Sequence, residues 1–197
     1  MVTLRRTGFS LMLLAGFIAG QAHATGVDDY LVGDLSGLNV KAGEVQVADM
    51  KVVSDFKGSQ KTVETLGEKA GKALVITFYG RECLGCRAHL RSLAALQRTL
   101  GDDRMEVVAL SLDEGNIHQA KRTLDRWGIE GLAPYTPYHL SILRDLTMDP
   151  DFRRNGTGPA SVIVGPDGVI KATSYRLRHW EAPETIAFFE ALADGKI

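Results

Sequence analysis

Apolar residues along this chain form two kinds of run. One is continuous: Ala73, Leu74, Val75, Ile76, Phe78 and Tyr79 are broken only by Thr77, as in a strand covered on both faces. The other recurs every three or four residues. Cys86, Leu90, Leu93, Leu96 and Leu100 predict a helix over 84–100, which Gly101 ends. Residues 105–112 repeat the buried-strand pattern. Ile117, Ala120, Leu124 and Trp127 then predict a second helix, entered through Asp113, Glu114, Gly115 and Asn116 and stopped by Gly128. A further strand is expected over 160–164, a turn at Pro166, Asp167 and Gly168, and a returning strand over 169–175. Pro183 suits the first position of a last helix running to about 193, with Ile186, Phe189 and Leu192 facing inward.

The remaining segments are less regular. Residues 50–56 read as a strand, followed by a turn at Lys57, Gly58 and Ser59. Residues 62–72 are a short polar stretch, and 25–50 are Gly- and Asp-rich with scope for one or two short strands. Residues 129–158 carry Pro134, Pro137 and Pro150 and one short helix around 141–146. Strands alternating with helices imply an α/β protein: a mixed central sheet with a parallel core, flanking helices, and a C-terminal β-hairpin followed by a helix.

The N-terminus changes the picture by setting a compartment. Arg5 and Arg6 precede an uncharged apolar run over 9–20, and Ala22-His23-Ala24 offers small residues at −3 and −1. This is the pattern of a secretory signal peptide at 1–24. The run is shorter than the roughly 20 residues a membrane-spanning helix needs. An uncleaved anchor is the alternative, and it would leave the domain on the same exported side. Cleavage after Ala24 leaves 173 of the 197 residues, enough for one domain with its own core. We divide the mature chain into an N-terminal extension, 25–49, and a single domain, 50–197. Removing Arg5 and Arg6 from 23 basic residues, against 24 acidic ones, gives a net charge of −3. That balance suggests no nucleic-acid partner.

Only two cysteines are present, Cys83 and Cys86. An exported protein lives where disulfides persist. A loop closed over three positions constrains an unfolded chain little, so the spacing favours chemistry over stability. Cys83 falls where a buried strand gives way to a helix. Free N–H groups and the helix dipole favour a thiolate there, and the thiolate is the attacking species. Cys86, one turn on, is placed to resolve the mixed disulfide. Haem attachment would need His after the second cysteine, where Arg87 stands, and structural zinc would need two more ligands. A one-cysteine peroxidase is not suggested by the spacing. Two alternatives stay open: a metallochaperone or assembly factor using the same cysteines as soft-metal ligands, and a redox-inactive scaffold. We expect no cofactor. His89, His118, His139 and His179 read as scattered surface or core residues.

From about residue 50 the chain resembles the thioredoxin superfamily, in particular the TlpA-like periplasmic thioredoxins. The resemblance rests on Ala70-Gly71-Lys72, Val75-Ile76-Thr77-Phe78-Tyr79, Cys83-Leu84-Gly85-Cys86-Arg87, Val108-Ala109-Leu110-Ser111-Leu112-Asp113, and Gly158-Pro159-Ala160-Ser161-Val162-Ile163-Val164 with Asp167-Gly168. It implies a thioredoxin-like fold and a thiol–disulfide oxidoreductase whose redox-active disulfide is Cys83–Cys86. It implies cysteine-containing protein substrates, and a membrane electron carrier that recharges the dithiol for work as a reductant in the periplasm. It also implies that Pro159 is a cis-proline facing the cysteine pair and, with Gly158, offers backbone to the substrate.

Three positions depart from the family. Glu82 stands where Trp is usual before the first cysteine. Its charge disfavours the neighbouring thiolate, an effect Arg81 and Arg87 would offset by leaning toward the sulfur; alternatively Glu82 accepts a proton in the resolving step, or is merely solvated. Thr77 replaces a buried acid found in thioredoxin. Gly158 replaces a bulkier residue, which widens the substrate groove.

Overall fold

The computed structural model describes residues 26–41, 45–57, 60–101, 103–113, 116–147 and 158–197. The predicted signal peptide lies outside them, as do the turn residues Gly58 and Ser59, Glu114 and Gly115, and Pro150. The described strands, numbered along the chain as β1 (Asn39–Val40), β2 (Lys51–Lys57), β3 (Gln60–Thr65), β4 (Ala73–Tyr79), β5 (Met105–Ser111), β6 (Pro134–Pro137), β7 (Ala160–Val164) and β8 (Ile170–Ser174), form one eight-stranded sheet in the order β1-β8-β7-β4-β5-β6-β2-β3.

At its centre lies β4 (Ala73–Tyr79), every residue of which is buried. It pairs in parallel with β5 (Met105–Ser111) and antiparallel with β7 (Ala160–Val164). β6 (Pro134–Pro137) continues the parallel core beside β5. β8 (Ile170–Ser174) returns from β7 as the expected hairpin. Side chains alternate across β4. Ala73, Val75 and Tyr79 enter one core with α1 (Cys86–Leu100), α4 (Pro183–Ala193) and Leu124 of α2 (Ile117–Trp127). Leu74, Ile76 and Phe78 enter a second core on the other face, with Ile142 and Leu146 of α3 (Ser141–Thr147). Two covered faces explain why β4 reads as an almost unbroken apolar run. The caps follow the sequence too: Asn116 accepts hydrogen bonds from the His118 and Gln119 N–H groups, and Gly128 turns left-handed at φ 66° to end α2.

Three secondary-structure elements differ from the sequence reading. α1 starts at Cys86, not near residue 84, because Gly85 sits at φ 83°, a left-handed conformation that cannot continue a right-handed helix. The polar stretch from 62 contains most of β3 (Gln60–Thr65), which pairs with β2 (Lys51–Lys57) at the sheet edge. Its first four residues are exposed on both faces, so no apolar alternation marks it. β6 lies inside the proline-rich segment. Pro134 opens it, a position that loses no essential ladder bond.

Residues 26–41 and 45–50 are joined to the sheet. β1 (Asn39–Val40) pairs with β8, and Leu35, Leu38 and Val47 are buried, each side chain contributing about 1.5–3 kcal/mol when fully removed from water. The Arg178 guanidinium donates to the Asp34 and Ser36 carbonyls and, through Nε, to Ser174 Oγ at 2.6 Å.

Candidate active site

The loop after β4 is held from two sides. The Arg81 N–H donates to Asp113 Oδ1 at 3.2 Å, so the turn just after β5 anchors it. The Cys83 N–H donates to the Gly80 carbonyl at 3.2 Å, closing a tight turn before the first cysteine. Gly85 then reverses the chain into α1. No side chain caps this helix, and its first turn contains no acidic residue. Its leading N–H groups and positive dipole end therefore face the loop without a capping side chain.

Cys83 and Cys86 are joined as a disulfide, with Cα atoms 5.5 Å apart. Their surroundings differ. Cys83 is partly exposed, whereas Cys86 is fully buried with Sγ 3.9 Å from the Phe78 carbonyl oxygen. An incoming disulfide can thus reach the first sulfur and not the second. Two exposed apolar side chains stand beside the pair: Leu84, between the cysteines, is 75% exposed, and Leu177, 55% exposed, lies against Gly85.

Strand register places Pro159 near this pair. Ala160 is the partner of Phe78, whose carbonyl touches Cys86, and Pro159 is the next residue along. Pro159 is buried and Gly158 exposed, with open space where a side chain on Gly158 would lie. The expected cis bond is not found. No peptide among the described residues is cis, so Gly158–Pro159 takes the isomer that X–Pro bonds intrinsically prefer by about 0.5–1 kcal/mol. Glu82 is exposed. Neither arginine turns to the sulfur: Arg81 Nε pairs with Asp113 at 3.7 Å, and Arg87 Nε donates to the Trp127 carbonyl at 3.3 Å. Among the described residues no three His, Cys, Asp or Glu side chains group as a metal site, and the soft-metal alternative is not favoured.

The sequence reading missed a buried polar chain directly behind the disulfide. Trp180 Nε1–H donates to His89 Nδ1 at 3.4 Å, and His89 Nε2 lies 2.9 Å from Ser161 Oγ. The Ser161 hydroxyl donates to Thr77 Oγ1 at 3.1 Å, and Thr77 donates to the Ala160 carbonyl at 3.0 Å. An indole N–H can only donate and a carbonyl can only accept, so both ends fix the direction. His89 must then be neutral with its proton on Nε2. One signal for it existed: His89 is three residues after Cys86, on the buried stripe of α1.

Burial, helped by the Arg178 charge, pushes the His89 pKa down to about 4 from 6.5. A depressed histidine value means that the unfolded chain binds the proton first. The stabilisation is complete above pH 6.5 and disappears as pH falls toward 4, by about 3 kcal/mol at most. Urea unfolding at pH 7 and pH 4.5 checks this. The unchanged protein should lose stability relative to His89→Gln as pH falls; a pH-independent difference would contradict it.

Fold and site together define a thiol–disulfide oxidoreductase of the thioredoxin type. The chain belongs to the AhpC/TSA family, which its residues 44–173 match. Among solved structures it is similar to a thiol:disulfide interchange protein from Bacteroides sp., at 16% identity and a TM-score of 0.53, over 77% of this chain and 91% of that one. It is also similar to the thioredoxin domain of a thiol-disulfide oxidoreductase from Bacteroides vulgatus, at 17% identity and a TM-score of 0.52, over 78% and 99%. A DsbF homologue from Corynebacterium diphtheriae matches at 17% identity and a TM-score of 0.56, over 80% and 95%. At these identities the likeness establishes the fold.

Proposed function

We propose that this protein is exported and exchanges its Cys83–Cys86 dithiol for disulfides in protein substrates, acting as a reductant. The observation that carries the reading is the unequal exposure of the two sulfurs at an uncapped helix start. Cys83 as thiolate attacks a substrate disulfide, and one substrate sulfur leaves. Cys86 then attacks Cys83, releasing the second substrate sulfur as a thiol and closing the protein disulfide. The exposed Leu84 and Leu177 offer apolar contact to a client, and Pro159 and Gly158 offer backbone. Glu82, adjacent to the attacking cysteine, takes the role of proton acceptor. A membrane electron carrier returns the disulfide to the dithiol. Export is supported by the charged, apolar and small-residue pattern of 1–24.

Charge supports this direction. A redox pair becomes oxidising when its reduced form is stabilised. Here Glu82 is the charge next to Cys83, while Arg81 and Arg87, still charged, are held by Asp113 and the Trp127 carbonyl and do not turn to the sulfur, so the thiolate gains less. Equilibration with glutathione redox buffers tests this. A potential below about −200 mV is expected; a value near or above about −120 mV, at the strongly oxidising end, would rule out a reductant.

A further inference from the structure

We infer that His89 is a positioning residue for disulfide exchange, holding the helix that carries Cys86 in register with the start of the strand that follows Pro159. This rests on the reading of Cys83 as attacking and Cys86 as resolving sulfur.

The geometry is a closed circuit. Cys86 and His89 stand three apart on α1, so their Cβ atoms lie about 5–6 Å from each other on one buried face. Cys86 Sγ touches the Phe78 carbonyl on β4. Phe78 pairs with Ala160 on β7. From the Ala160 carbonyl, the polar chain runs through Thr77 on β4 and Ser161 on β7 back to His89. Every side chain in it is buried. Outside the circuit, Trp180 donates to the other imidazole nitrogen and packs edge-on at 5.8 Å, so the ring is held in one orientation. Water has no access to substitute for a lost member, and a broken link leaves a buried polar group without its partner.

The resolving step makes the strictest demand on this register. Cys83 is accessible and can meet an incoming disulfide in many poses. Cys86 is enclosed and must approach the Cys83 sulfur along the S–S axis of the mixed disulfide, from one fixed direction. A small rotation of α1 over the sheet therefore slows resolution while leaving the first attack intact. The imidazole does this work as a neutral donor–acceptor, one N–H and one lone pair. A glutamine side chain also offers both functions, and a leucine neither.

Glutathione disulfide is a suitable probe. The Cys83 thiolate attacks it, one glutathione leaves and takes up a proton, and Cys83 becomes glutathionylated. Cys86, losing its proton, attacks Cys83, and the second glutathione leaves as a thiol. The protein gains a disulfide and the probe becomes two thiols. Acid quenching with mass spectrometry follows the glutathionylated intermediate, and alkylation kinetics follow Cys83 alone. His89→Leu is expected to lengthen the lifetime of the intermediate by about tenfold or more, as a misplaced reacting group does, with Cys83 alkylation unchanged. His89→Gln should restore most of the resolution rate. Should His89→Leu fail to fold, Ser161→Ala breaks the same circuit and is expected to act in the same direction. A lower melting temperature with an unchanged lifetime would overturn the inference, as would equal slowing of both steps. Failure of glutathione disulfide to oxidise the unchanged dithiol at all would instead overturn the exchange reading itself.

Discussion

Cys83→Ser is expected to lose disulfide exchange while keeping the fold. A serine hydroxyl holds its proton at neutral pH, whereas even an unperturbed thiol is a few per cent ionised, so the rate should fall by at least about three orders of magnitude. Cys86 cannot substitute, because it is fully buried and an external disulfide does not reach it. Stability should change little. The closed loop spans only three positions, which constrains the unfolded chain weakly. Reduction of a disulfide-bonded model protein, measured beside circular dichroism of the variant, checks both halves. Retained exchange in Cys83→Ser would mean that the chemistry lies elsewhere.

The largest effect on stability is expected from Trp180→Ala. Trp180 is fully buried and contacts Phe189, ring centres 6.1 Å apart, as well as His89. Its backbone N–H donates to Ser92 Oγ on α1 at 2.6 Å, and Ser92 in turn is hydrogen-bonded to Glu181. It thus joins the segment before α4 to the helix that carries Cys86. Removing the indole empties a large space that this framework cannot close and leaves the His89 lone pair unpartnered. A loss of about 3–5 kcal/mol is expected, lowering the melting temperature by roughly 10 °C in a domain of this size. Thermal and urea unfolding measure it. A change within 1 kcal/mol, on the scale of a surface substitution (about 0.5 kcal/mol), would show that the region repacks.

Wherever periodicity was strong, the sequence was sufficient. β4, β7, α2 and α4 stand where the apolar pattern, Asn116, Gly128 and Pro183 place them. The redox pair was legible because both cysteines lie within four residues and the flanking strand and helix are regular. What escaped has physical causes. β3 is a solvated edge strand, so it has no buried face to leave a trace. β6 is framed by prolines that ordinarily mark loops. The start of α1 depends on one backbone angle at Gly85, which composition does not reveal. Asp113 anchors the cysteine loop from 32 residues away, and Leu177 reaches Gly85 from a still more distant loop. The chain through Trp180, His89, Ser161 and Thr77 joins four separated segments, and each member alone looks like an ordinary core residue. Thr77 is the instructive case. It stands where thioredoxin has a buried acid, and the sequence reading noted only that replacement. In the structure its hydroxyl is a link between β4 and β7.

The division of labour between the two sulfurs is tested most directly by Cys86→Ala. With the resolving thiol removed, a disulfide-bonded substrate protein should become covalently linked to this one. The adduct should separate on reduction, and Cys83→Ala, which leaves only the buried Cys86, should form none under the same conditions. No adduct with Cys86→Ala, or as much adduct with Cys83→Ala, would contradict this division of labour.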